Sequence, residues 1–117
     1  MIPLLRKGCC VAIWIGHFTD ELDADEYLYA DFQEDFRCTV EENNVPELAV
    51  TEVPKPLRDL LTGFSSSKEF LDAAVHKAES LGIQSASTAV VYYTTQYDDT
   101  QRSSPSAKLV FLGNFSW

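Results

Sequence analysis

Val11-Ala12-Ile13-Trp14-Ile15-Gly16-His17-Phe18 carries the β-branched and aromatic residues that favour strands and is broken by a glycine. Both of its alternating sets are apolar: Val11, Ile13 and Ile15 on one side, Cys10, Ala12 and Trp14 on the other. A strand apolar on both sides belongs inside a sheet, covered above and below. Lys108-Leu109-Val110-Phe111-Leu112-Gly113-Asn114-Phe115 has the same shape near the far end of the chain. The two read as neighbouring core strands that close the domain from its two ends.

Between them, Asp20 or Thr19 is a suitable N-cap for a helix over about 20–30, with Leu22, Tyr27, Leu28 and Phe32 as its sparse apolar stripe. Arg37-Cys38-Thr39-Val40 and Leu48-Ala49-Val50-Thr51 read as short strands around a Glu41-Glu42-Asn43-Asn44 turn. Pro46, Pro54 and Pro56 favour edge or connecting structure there. Leu57-Arg58-Asp59-Leu60-Leu61 resembles a short helical turn ending at Gly63. Ser66 and Glu69 form a capping-box pattern ahead of a second helix, whose apolar residues Phe70, Leu71, Ala74, Val75, Ala78 and Leu81 share one face. Gly82 stands at its left-handed C′ position, with Ile83 as the closing apolar contact. Thr88-Ala89-Val90-Val91-Tyr92-Tyr93-Thr94-Thr95 is a further strand, joined by a polar connection over 97–106 to the last strand as an antiparallel hairpin.

This order predicts one α+β domain over 1–117, with a mixed or mainly antiparallel sheet of about four to five strands and two main helices packed on one face. Two helices on one face would leave the other bare, to be covered by the proline-flanked segment or by a second copy in a homodimer.

Charge is the most informative compositional feature. Eighteen acidic against nine basic residues give −9 at pH 7. Asp20, Glu21, Asp23, Asp25, Glu26, Asp31, Glu34, Asp35, Glu41, Glu42, Glu47 and Glu52 are opposed over 19–53 by Arg37 alone. Such a field repels nucleic acid and anionic lipid and attracts a basic protein. Tyr27, Tyr29 and Phe32 lie within this belt as candidate anchors.

Other chemistry finds little support. Cys9, Cys10 and Cys38 form no CxxC and have no histidine at zinc spacing, so they read as buried free thiols. The acidic run from Asp20 to Asp25 lacks the glycine and closing glutamate of a calcium loop. No phosphate loop or HExxH is present, and His76 reads as a solvated helix residue. A hydrolase built on His17 and a nearby carboxylate is the weakest reading, since no nucleophile motif accompanies it. A non-enzyme without cofactor is expected. The absence of a membrane span or signal peptide makes a soluble cytoplasmic protein the default.

Several stretches together carry a family resemblance: Val11 to Gly16 followed by an acidic helix, Leu57-Arg58-Asp59-Leu60-Leu61 with Gly63-Phe64-Ser65, Ser67-Lys68-Glu69-Phe70, the Tyr92-Tyr93 strand with Tyr97-Asp98, and Lys108 to Phe115. They resemble the immunity protein 22 family of bacterial polymorphic toxin systems. The resemblance implies an antitoxin that binds and neutralises a cognate toxin domain, often a nuclease. It carries over no site residues. Charge alone nominates Asp20, Asp23, Glu26, Glu34, Asp35, Glu41, Glu42 and Glu52 as partner-binding. The alternative is a structural or regulatory adaptor whose acidity serves only solubility.

Overall fold

The computed structural model describes residues 2–98, 100, 103–105 and 107–116. Asp99, Gln101, Arg102 and Ser106 of the expected polar connection lie outside the described residues.

The chain forms β1 (Ile2–Pro3), β2 (Leu5–Gly16), α1 (Glu21–Ala30), α2 (Phe32–Phe36), β3 (Cys38–Thr39), β4 (Glu47–Pro56), α3 (Leu57–Thr62), α4 (Ser67–Ser80), β5 (Ser85–Gln96) and β6 (Leu109–Ser116). The main sheet is wholly antiparallel, in the order β4-β5-β2-β6, and β1 pairs with β3 in a small parallel ribbon. The fold is α+β, as the element order implied. β2 lies inside the sheet, with Ile15 facing Ala89 of β5 and Val110 of β6. The two end strands are therefore neighbours. β5 and β6 do not form the expected hairpin, because β2 runs between them.

The expectation of helices on one face is corrected. Val11, Ile13 and Ile15 pack with Leu57, Leu61, Phe70, Ala74 and Ala78, so α3 and α4 cover that side. Ala12 and Trp14 point the other way, into a cluster with Tyr27, Phe32 and Phe36 of α1 and α2. Successive strand residues face opposite sides of a sheet, so the two helix pairs sandwich it. This is the cover that a doubly apolar β2 requires, and it removes the bare sheet face that called for a second copy. α1 hid its position because its stripe is weak: Ala24 and Tyr27 are buried, while Leu22 is 65% exposed.

Local details follow from chemistry. Leu81 N–H bonds to Ala78 O (3.0 Å), Gly82 N–H to Glu79 O (3.0 Å) and Ile83 N–H to Ala78 O (2.9 Å), with Gly82 at φ 76°. That is the expected glycine stop of α4, and Ile83 packs against the core. The predicted capping box does not form. Ser66 adopts a left-handed conformation (φ 56°), and its side chain makes no cap hydrogen bond. Gly16 ends β2 within the sheet. A Cβ there would lie 2.6 Å from Leu109 Cδ2 and 2.9 Å from the Lys108 carbonyl, so glycine allows β6 to approach. Cys10 and Cys38 are buried, but Cys9 is exposed in a left-handed conformation within the irregular pairing of β2 with β5.

Candidate functional site

The acidic helix α1 starts at Asp20, whose Oδ1 accepts hydrogen bonds from the backbone N–H of Leu22 (2.8 Å) and Asp23 (3.4 Å). Two backbone donors hold this carboxylate in place as a cap. Asp20 therefore shapes the site as well as charging it. One turn on, Asp23, Glu26 and Ala30 follow at helical spacing and line a cleft of about 600 Å³. Its other walls include His17, Phe18, Asp31 and Lys108.

The cleft is held rigidly from below. Ser87 Oγ and Thr88 Oγ1 both donate to the Phe18 carbonyl (2.6 and 2.7 Å), pinning the segment after β2 to β5. The Phe18 ring lies against Tyr27, with centroids 5.4 Å apart. The Tyr27 hydroxyl donates to Asp35 Oδ2 (2.8 Å) and accepts from the Lys108 backbone N–H (3.2 Å). One phenol thus ties α1, α2 and the entry to β6 together. Burial, then the bond to Asp35, pushes the Tyr27 pKa above its ordinary value. The hydroxyl stays protonated and keeps donating.

Beneath this lies Trp14, fully buried, with Phe32, Phe36, Tyr92, Tyr97 and Phe111 at centroid distances of 4.9–5.8 Å. Its indole Nε1–H finds no hydrogen-bond acceptor among the described residues. The Tyr97 hydroxyl donates to the Phe36 carbonyl (2.7 Å), closing the layer under α2.

The nominated acids fare differently. Asp20, Asp23, Glu26 and Glu34 are exposed on the α1–α2 layer. Asp35 is 8% exposed and holds Tyr27, so it is a fixture of the core rather than a contact offered to a partner. Its place was readable, since Phe32, Asp35 and Phe36 share one helical face. Glu41 pairs with Arg6 at 3.7 Å, and Glu42 is exposed in the turn beside it. Glu52 is exposed on the edge strand β4. The structure therefore brings Asp23 and Glu26 together in one cleft, leaves Asp20 as the cap of the helix that carries them, and sets Glu41, Glu42 and Glu52 on other elements. Of the candidate anchors, Tyr27 and Phe32 are buried, whereas Tyr29 is 91% exposed. Sequence reasoning left Asp31 out of the nominated acids although it closes α1, and it missed Lys108 because only the fold brings the start of β6 to α1.

Among the described residues the ion pairs are Arg6–Glu41 and Arg58–Asp72 (2.9 Å), so Asp23, Glu26 and Asp31 make none there, and the cleft sets these three carboxylates against the single cation Lys108. His17 makes no ion pair among the described residues, and no three His, Cys, Asp or Glu side chains there converge as metal ligands. No helix is long and apolar enough to cross a membrane. No family model, curated protein or solved structure matches this chain.

Proposed function

We propose that the protein is a cytoplasmic immunity protein that binds a cognate toxin domain, of the nuclease class with a basic surface, and neutralises it through the α1–α2 face. The observation that carries this reading is the cleft, where Asp23, Glu26 and Asp31 make no ion pair among the described residues and outnumber the single cation Lys108. A nuclease presents cationic side chains to phosphate, so an acidic inhibitor competes for the same field. Arginine or lysine side chains entering the cleft would meet these carboxylates beside the Phe18–Tyr27 pair. Leu22 and Tyr29, exposed about two turns apart on α1, supply apolar area among the charges. The family resemblance of the sequence points the same way.

Co-expression with the toxin-like gene neighbouring this one is the test, followed by co-purification. Survival only in the presence of this protein, with a stable complex, is the expected result. No rescue and no complex, with both proteins folded, would overturn the proposal and favour the adaptor reading.

A further inference from the structure

The two edges of the sheet are built differently. β4 is guarded by Pro54, Lys55 and Pro56, with Pro46 just before it and Glu47 and Glu52 within it. Prolines and charges are the usual means of keeping an edge from pairing. β6, from Leu109 to Ser116, has neither proline nor charge. Among the described residues its backbone pairs with β2 alone.

Along this edge runs a groove of about 450 Å³ between Lys77 and Leu81 of α4 on one side and Tyr97 and Ser104 on the other. Leu81 (49% exposed) and Val110 (50% exposed) both line it, and they rank among the few large apolar side chains left in solvent. Among the described residues no acidic side chain lines the groove, although the chain has eighteen.

We infer that β6 is a self-association edge, pairing antiparallel with β6 of a second copy about a two-fold axis near Val110. Charge favours this occupant. Two chains of −9 repel wherever their acids meet, and this edge brings an uncharged strand against its own copy. A basic partner drawn to the α1–α2 face would meet Lys77 here instead. The geometry also closes. An isologous β6–β6 pair gives a continuous eight-stranded sheet whose two ends are both the guarded β4, so assembly stops at two. The extra residue Leu112 breaks the β2–β6 register between Ile13 and Trp14 and sets off Leu109–Phe111 as a regularly paired segment centred on Val110.

Light scattering at tens of micromolar, with Val110→Lys and, independently, Leu81→Lys, tests the inference on the full chain without any toxin. The expected result is twice the 13.1 kDa chain mass for the parent. Each variant should keep the parent circular dichroism and associate about tenfold or more weakly. Using two variants on different elements separates a lost interface from a lost fold. A monomeric parent, or a dimer that both folded variants preserve, overturns the inference. None of these outcomes depends on the immunity reading.

Discussion

The two layers against the sheet are of similar extent but made of different material. The α3–α4 side is a plain aliphatic core: Val11, Ile13, Ile15, Leu57, Leu61 and Ala74, with Phe64 and Phe70. The α1–α2 side is aromatic around Trp14, is crossed by the Tyr27–Asp35 and Tyr97–Phe36 hydrogen bonds, and carries outward acids that make no ion pair among the described residues. Aliphatic packing tolerates substitution when volume is kept. A layer of interlocking rings and buried hydroxyls holds one geometry, which suits a surface that must present charge at fixed positions. On this view the first layer mainly stabilises the domain, while the second also positions its chemistry.

The largest test of that contrast is deletion of each layer's central ring. Trp14→Ala should cost about 3–5 kcal/mol in urea unfolding. Phe70→Ala, which loses a smaller ring and one edge-to-face contact to Tyr93, should fall at or below the low end of that range. Equal losses would mean that the aromatic cluster has no special weight.

Tyr27→Phe comes next, at about 1–3 kcal/mol, because it removes the donor to Asp35 and the acceptor for Lys108 N–H while keeping the ring. A neutral result would show that the phenol does not lock the layer. The same groups set an alkaline limit. Burial pushes the Cys38 thiol from 9.0 up to about 11 and raises Tyr27 and Tyr92 above the tyrosine norm. The unfolded chain then releases protons that the native state retains, so stability falls as pH rises from about 9 through 11. Urea midpoints between pH 8 and 11 should show that decline, and Tyr27→Phe should flatten it.

The smallest effect compares the two helix starts. Asp20→Ala should cost about 1 kcal/mol in unfolding experiments, since two backbone donors lose their acceptor. Ser66→Ala should cost close to nothing, because that side chain caps nothing. The reverse order would mean that the capping-box reading of Ser66 and Glu69 describes α4 better than the geometry does.

The comparison also shows what could be read in advance. β2 and β6 announced themselves by apolar residues on both sides, and α4 by a clean helical stripe closed at Gly82. α1 did not disclose its position, because one alanine and one tyrosine make most of its buried contact. The choice between one covered face and two rested on that weak stripe, although the doubly apolar β2 already demanded cover on both sides. The β5–β6 hairpin was inferred from adjacency in the chain, whereas β2 inserted through long-range pairing that local patterns do not encode. Composition located the acidic segment but could not sort it. Asp35 turned inward between two phenylalanines, Asp20 became a cap, and Asp23, Glu26 and Asp31 along α1 met Lys108 only through tertiary folding.

The central claim is that position within the acidic belt, and not net charge, makes the α1–α2 face the binding surface. Titrating the toxin domain against Asp23→Lys/Glu26→Lys and against Glu69→Lys/Glu79→Lys tests it most directly, since both pairs change the net charge equally and only the first lies at the cleft. The account predicts a loss of affinity of about a hundredfold or more for the first pair, with the parent's binding weakening as salt rises. It predicts a change within about threefold for the second pair. Equal losses for both pairs, with both variants folded, would contradict it.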